Sequence, residues 1–313
     1  MSSRDPATPH VSAAPYVSPG DDAGWEPAVP WDWTWEDYLY PTAETGGAEV
    51  LRNIPGLRDP EQLLRADRAL SFVRHLELVD NPRLVPRSFD VAHWQGVHRQ
   101  LFGDLYSWAG QFRSVDMAKF DGIDRYTPFV SSDELDVHAG ELMRWVRDEA
   151  MFAGSTRNAT VAGLTVFTGT ANLIHPFREG NGRTLRVLSE HVAEHAGYRL
   201  DWSAISEDLE HAALVMTSRG QDRFLAEAFD AALSPAPHAA TPSLSPAHRV
   251  SATSADAAPT SSPWQLTSAA MADRASAPAP AGQPATADLG VDLGTGVQAG
   301  IVTTPQAGVG YGD

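Results

Sequence analysis

The sequence predicts a mainly α-helical domain that carries one short β-hairpin and is flanked by disordered tails. Three observations carry this prediction. Apolar residues recur at helical spacing through most of the stretch between Trp31 and Leu233. The period-two alternation of a strand occurs in one place, between Phe112 and Val130. Composition changes at both ends: residues 1–30 and 234–313 are rich in Ala, Pro, Ser, Thr and Gly, and hold too little apolar surface to offset chain entropy. The expected organisation is therefore a disordered segment 1–30, a folded domain 31–233 with its core at about 55–233, and a disordered tail 234–313.

Each element has a local signal. Asp59 followed by Pro60 reads as an N-cap with proline at the first helical position, and Leu63, Ala66, Leu70 and Val73 continue as a stripe. Ser88 is expected to open a second helix through Val91, Trp94, Val97 and Leu101. In the hairpin region, Phe112 to Met117 alternates like a strand, Asp121-Gly122 signals a turn, and Arg125 to Phe129 forms a return arm. Ser131 and Glu134 fit a capping box ahead of Leu135, Leu142, Trp145 and Val146. Asn158 is expected to cap a helix that is apolar nearly all round, which belongs at the centre of a bundle. That helix must end at His175-Pro176, because proline disfavours helical geometry in the residue before it. Another begins near Gly180–Asn181, and two more are expected near 206–218 and 222–233. Trp31, Trp33 and Trp35 read either as a packed strap over the core or as a partner-binding patch.

Charge excludes several functions. The chain has 23 basic against 40 acidic residues, a formal net charge of −17, so its surface repels nucleic-acid backbones and anionic membranes. Direct nucleic-acid binding is not expected. No cysteine is present, which rules out disulfide scaffolds, thiolate metal sites and cysteine nucleophiles. No signal pattern or membrane-length apolar run is found, and the expectation is a cytoplasmic protein. His93, His98, His138 and His191 have no zinc-site spacing and read as ordinary core or surface histidines.

The chemistry concentrates in His175-Pro-Phe-Arg-Glu-Gly-Asn-Gly-Arg-Thr-Leu-Arg186. Gly180 and Gly182 let backbone amides converge at a helix start, where the first N–H groups have no internal partner and the dipole is positive. This is a phosphate cradle. Arg183 and Arg186, at i and i+3, can project from one side of the helix towards it and grip phosphate oxygens in bidentate fashion. Glu179 would be repelled by a polyphosphate unless a divalent ion lay between them, so it is the natural protein ligand for Mg²⁺. His175 is placed to act as a general base, and Asn181 can donate its side-chain amide to a phosphoryl group.

These residues fill every specified position of a known signature: His-Pro-Phe, any residue, an acid, Gly-Asn-Gly-Arg, two residues, Arg. The chain thus resembles the Fic-domain (Fic/Doc) family, and the expected fold is a Fic-type helical bundle with a hairpin flap. The resemblance extends to Leu101–Arg113, to Leu51-Arg52-Asn53 with Gly56–Asp59, and to Gly197–Trp202, covering about 38–233 and neither tail. It implies that His175 deprotonates a target hydroxyl, which attacks the α-phosphate of ATP. Glu179 would hold Mg²⁺ between the α- and β-phosphates, Gly180, Asn181 and Gly182 would stabilise the α-phosphate, and Arg183 and Arg186 would bind the departing pyrophosphate. Phe177 would anchor the loop from below. The hairpin, with Lys119 and Phe129, would align the target by strand addition.

The expected activity is adenylyl transfer from ATP to a Tyr, Thr or Ser hydroxyl of a target protein. The rival on the same scaffold is a Doc-like kinase, but that branch carries a bulkier basic residue where this chain has Gly182. UMP or phosphocholine transfer, and a silent binding module, remain open. Many family members carry an inhibitory helix with the pattern Ser/Thr-x-x-x-Glu-Gly/Asn, whose glutamate pairs with the second arginine, here Arg186. The searched matches fail at the last position: Thr45 to Glu49 is followed by Val50, and Ser203 to Glu207 by Asp208. The resulting expectation is a separate antitoxin protein, with this chain as the toxin; the alternative is an effector delivered into another cell.

Overall fold

The computed structural model describes residues 32–122, 126–148 and 155–236. Trp31, the expected disordered segment 1–30 and residues 237–313 of the expected tail 234–313 lie outside the described residues. The described residues form α1 (Pro60–Asp80), α2 (Val91–Phe102), α3 (Leu135–Asp148), α4 (Arg157–Ile174), α5 (Asn181–His195), α6 (Glu207–Ser218) and α7 (Arg223–Ala232). A hairpin of β1 (Ala118–Phe120) and β2 (Tyr126–Pro128) lies between α2 and α3. β3 (Tyr198–Leu200) pairs with β4 (Leu233–Pro235). The expectation of a mainly helical bundle with a short hairpin holds.

α4 is the centre. It packs against α3, α5, α6 and α7, and Leu164, Phe167, Ala171 and Ile174 along it are fully buried. Gly169 lets α6 come close: a Cβ there would meet the Thr217 methyl at 2.5 Å. α2 lies across α1 and α5, and its Trp94, Val97, Leu101 and Phe102 are buried with Trp108 and Phe177.

Four caps or faces differ from expectation, each because a different polar group captures the backbone. α2 is capped by Asp90, which accepts from the His93 N–H at 2.9 Å, while the Ser88 hydroxyl bonds to the Asp90 carboxylate. α4 is capped by Thr156, which accepts from Ala159 at 3.4 Å, leaving Asn158 inside the helix. Ser131 makes no side-chain cap; its hydroxyl and the Ser132 N–H both reach Asp116. On α1 the buried face is Leu63, Asp67, Ser71, Arg74 and Leu78, and Val73 is 51% exposed. Polar groups turn inward there because they have partners: Arg74 pairs with Asp104 at 2.6 Å and with Glu77 at 2.7 Å, and Asp67 accepts from Tyr106 at 3.0 Å.

The hairpin also starts later than its alternation suggests. Residues 112–117 are not a strand, since the Arg113 N–H is drawn to the Pro176 carbonyl at 2.8 Å, out of any ladder. The ladder itself pairs Ala118 with Pro128, Lys119 with Thr127 and Phe120 with Tyr126. It is sewn to the end of α4, where the Val130 N–H donates to Leu173 at 3.1 Å. The β3–β4 pair extends the fold past 233, to Pro235; three-residue strands fall below any periodicity signal.

Candidate active site

The hairpin, the end of α4 and the start of α5 meet α1 and α6 around a cavity of about 610 Å³. His175, Glu179, Gly180, Asn181, Gly182 and Arg183 line it, with Lys119 and Phe129 from the hairpin. Arg186 does not. Opposite the loop, His211, Leu214 and Val215 on α6 form another wall.

His175 caps α4 in the left-handed region, with φ 47° and ψ 59°. A non-glycine residue holds that conformation only where its surroundings fix it. Arg113 does so. Its buried guanidinium donates to the carbonyls of His175 at 2.9 Å, Val115 at 2.6 Å and Val130, so a cation closes the negative end of α4. Burial lowers the Arg113 pKa to about 10, which still leaves it charged at neutral pH. The His175 ring lies flat on Phe129, with centroids 3.8 Å apart and planes at 4°. Burial, then the charges of Lys119 and Arg113, hold its pKa well below 6.5, against a smaller upward pull from the Asn172 backbone. The imidazole is therefore neutral at pH 7 and able to accept a proton.

The loop after His175 is tied from three sides. Phe177 is buried against His98 and Phe112. Asn181 closes a ring with Phe177, accepting from its N–H at 2.9 Å and donating to its carbonyl at 2.8 Å. The Asn181 side chain thus holds the loop, where the sequence suggested that it would face a phosphoryl group. Gly180 caps α5 with φ 79°, and a Cβ there would lie 2.5 Å from the Phe102 ring. Its N–H donates to Glu179 Oε1 at 2.9 Å, so a carboxylate oxygen already sits in the amide cradle.

The two arginines diverge instead of pointing together at the cradle. Arg183 reaches α1, ion-pairing with Asp67 and donating to the Ser71 hydroxyl at 2.8 Å, with its guanidinium over Phe102 at 4.5 Å. Arg186 reaches α6 and pairs with Glu210. Side chains one turn apart share a helix face but are steered by whichever acid each neighbouring helix supplies.

Sequence reading missed several residues here. His98, taken for an ordinary core histidine, bonds to the Glu179 carbonyl at 2.9 Å. Arg178 stacks on Trp35 at 3.8 Å, and Trp35 lines the cavity, while Trp33 packs edge-on against Tyr38. Of the three tryptophans, Trp33 is therefore packed and Trp35 reaches the site, while Trp31 lies outside the described residues. Asp121, read as a turn residue, is buried and ion-paired with Arg219. Glu210 had a signal: Ser206-x-x-x-Glu210 has the spacing of the inhibitory pattern, but His211 stands where Gly or Asn is required.

No group of three or more His, Cys, Asp or Glu among the described residues could hold a metal ion. Glu179 is a carboxylate on the cavity wall beside the cradle, and this donor set fits a divalent ion whose other ligands are phosphate oxygens and water. No helix among the described residues is long and apolar enough to cross a membrane.

The profile of the Fic/DOC family matches residues 88–193. The chain is 31% identical over 173 residues to "Probable protein adenylyltransferase Fic" of Escherichia coli (strain K12), spanning 55% of this chain and 80% of that protein. It is 33% identical over 166 residues to "Protein adenylyltransferase VbhT" of Bartonella schoenbuchensis, spanning 53% of this chain but only 33% of VbhT. Among solved structures, BepC of Bartonella tribocorum, a VirB-translocated effector protein with bound AMPPNP, superposes with a TM-score of 0.57. That match covers 64% of this chain and 98% of BepC at 21% identity, and it speaks to the fold alone.

Proposed function

The chain belongs to the Fic/DOC family, and from that premise we propose that it is a protein adenylyltransferase, moving AMP from ATP onto a Tyr, Thr or Ser hydroxyl of a target protein. The observation that carries this reading is the pairing of His175, neutral and stacked on Phe129, with the amide cradle at the N-terminus of α5 in one cavity. A base for a hydroxyl and a cradle for a phosphoryl group are the two parts such a transfer needs.

In the proposed reaction His175 accepts the proton of the target hydroxyl as that oxygen bonds to the α-phosphorus. The bond from that phosphorus to the bridging oxygen breaks, and pyrophosphate leaves. The backbone amides of Gly180, Asn181 and Gly182 would stabilise the charge that develops on the α-phosphoryl oxygens. Glu179 would hold a divalent ion such as Mg²⁺, which would supply positive charge against the phosphate oxygens. Arg183 would meet the pyrophosphate from the α1 side, and Arg186 could reach it only by leaving Glu210. Lys119 and the rest of the hairpin would align the target strand against the site.

Transfer of tagged phosphate from ATP to protein separates the readings. Label from the α-phosphate, lost in His175→Ala, is the expected result; label from the γ-phosphate alone would replace the reading with a kinase. The absence of both would leave UMP or phosphocholine transfer, or a silent binding module.

The biological part of the proposal is a toxin held in check by a separate antitoxin protein. Among the described residues the Ser/Thr-x-x-x-Glu-Gly/Asn pattern is incomplete, which supports an inhibitor supplied from outside the chain. Growth arrest on expression of the wild type but not of His175→Ala would support it. Harmless expression in the producing host, with toxicity only on delivery into another cell, would favour the effector reading.

A further inference from the structure

His98 lies on α2, 77 positions before His175, and is wholly buried. Its ring stacks on Phe177 with centroids 3.8 Å apart and planes at 24°. Both ring nitrogens are engaged. The Gly110 N–H donates to Nδ1 at 2.8 Å, and Nε2 lies 2.9 Å from the Glu179 carbonyl. A backbone N–H can only donate, so Nδ1 must accept and cannot carry the proton. Nε2 therefore bears it and donates to the Glu179 carbonyl. One neutral tautomer is selected by two backbone groups from different parts of the chain.

The peptide bond between Glu179 and Gly180 transmits that choice. A trans peptide is planar, with its C=O and N–H pointing in opposite directions. Fixing the Glu179 carbonyl onto buried His98 therefore turns the Gly180 N–H the other way, towards the cavity. It is found there, donating to Glu179 Oε1 at 2.9 Å. That N–H is the first donor of the amide cradle at the start of α5. Gly110 is built for its part: φ is 84°, and a Cβ would lie 2.9 Å from the Gln95 carbonyl oxygen.

We propose that His98 is a positioning residue for phosphoryl binding: through its Nε2–H it orients the Glu179–Gly180 peptide so that the Gly180 N–H faces the anion. This rests on the site being a phosphate site, as under the proposed function. His98 itself touches neither nucleotide nor target; it acts only through the loop.

Two substitutions in the full chain separate this role from a merely structural one. His98→Gln extends an amide to the Nε2 position and keeps a donor for Glu179, but loses the acceptor for Gly110. His98→Asn keeps an acceptor near Nδ1 and loses the donor to Glu179. Both remove the stacked ring. If positioning is the role, His98→Asn binds AMPPNP about tenfold to a hundredfold more weakly than wild type by calorimetry, the range set by one lost buried hydrogen bond. His98→Gln should bind within a few-fold of wild type and restore most of the α-phosphate transfer rate. The reverse order, or equal binding by both with melting curves intact, overturns the proposal.

Should either variant fail to fold, ¹⁵N-histidine spectra of the wild type decide the matter: the proton must reside on His98 Nε2, and a proton on Nδ1 overturns it. A wild type that binds AMPPNP without transferring its label would refute the adenylyltransferase reading, while the binding order of the two variants would still decide the role of His98.

Discussion

Arg186 on α5 is clasped by Glu210 on α6: Nη2 donates to Oε2 at 2.6 Å, and Nε reaches the two carboxylate oxygens at 3.0 and 3.3 Å. Only 5% of the Glu210 side chain is exposed. The Trp202 indole N–H donates to the Arg186 carbonyl at 3.3 Å, so main chain and side chain are both held on the α6 side. An arginine gripped in this way has its Nε/Nη2 edge spent on the carboxylate, and it does not line the cavity in which a phosphate would sit.

Glu210→Gln should therefore release Arg186 towards the cavity. Nucleotide affinity is expected to rise several-fold. Stability is expected to drop by about 3 kcal/mol or somewhat less, because a largely buried arginine loses its counter-charge but keeps one hydrogen-bond acceptor. Calorimetry with AMPPNP and a melting curve read the two effects. Unchanged or weaker binding with the melting loss would instead make the pair a strut that sets the α6 wall.

The pH profile of transfer tests the Phe129–His175 stack. His175 is held neutral chiefly by burial, so its folded pKa lies well below 6.5 and wild-type activity should not fall on its account between pH 7.5 and 6. Phe129→Ala opens one ring face to water, which relieves desolvation and moves the pKa up towards 6.5. The acid limb of the variant's profile should therefore shift to higher pH. Parallel profiles for variant and wild type would show that the stack does not control the base.

Acid should also destabilise the domain through a pair of buried histidines. His93 and His191 are buried between α2 and α5, with His93 Nε2 and His191 Nδ1 2.9 Å apart. Burial, reinforced by Arg87, lowers their pKa values to about 4 and about 2. The unfolded chain then binds protons from pH 6.5 downward that the folded domain refuses, so stability falls as pH drops, by up to about 1.4 kcal/mol per unit for each histidine. Melting temperature should decline steadily from pH 6.5 to 4.5, and His191→Asn, with one titrating group fewer, should flatten that decline. An identical slope in the variant would exclude the pair as its source.

The hairpin is predicted to depend on a latch at its turn. Asp121 is buried and ion-paired with Arg219, just past α6, so the turn is tied to the far wall of the cavity. Asp121→Asn removes the charge but not the shape. Amide exchange in β1 and β2 should quicken several-fold while α4 stays protected, because a two-stranded hairpin is marginal without outside support. Wild-type exchange in both strands would show that the sewing of Val130 to Leu173 suffices.

The sequence made legible what is local and missed what arrives from a distance. Asp59 capping the helix that opens at Pro60 and His175 ending α4 follow from one or two neighbouring residues, and both were readable. The signature from His175 to Arg186 was readable for the same reason. Asp67, Arg113 and His98 were not, since each acts on the site from α1, the segment before the hairpin or α2, and no spacing links them to the loop; Glu210 carried only the incomplete Ser206-x-x-x-Glu210 spacing. The arginines show the limit most clearly. Their i,i+3 spacing gave the helix face correctly, but Asp67 and Glu210 on opposite walls decide where each guanidinium goes.

Gly180 concentrates the demands of the site in one residue. Its φ of 79° strains any side chain, and a Cβ would approach the Phe102 ring at 2.5 and 2.6 Å. That ring is fully buried, lies tilted with its centroid 6.4 Å from that of Tyr106, and sits under the Arg183 guanidinium, so it has little room to yield. Gly180→Ala should then cost about 1–3 kcal/mol from backbone strain alone, with the overlap adding to it. The start of α5 should shift, and the Gly180 N–H should leave the position that Glu179 Oε1 now occupies. The expected outcome is a lower melting temperature together with loss of AMPPNP binding. The pairing Gly180→Ala/Phe102→Ala should not recover the binding, because it removes the overlap and leaves the positive φ, and losing a fully buried ring costs about 3–5 kcal/mol of further stability. Full recovery of binding in the double variant would show that the steric contact with Phe102, and not the left-handed backbone, is what requires glycine at this cap.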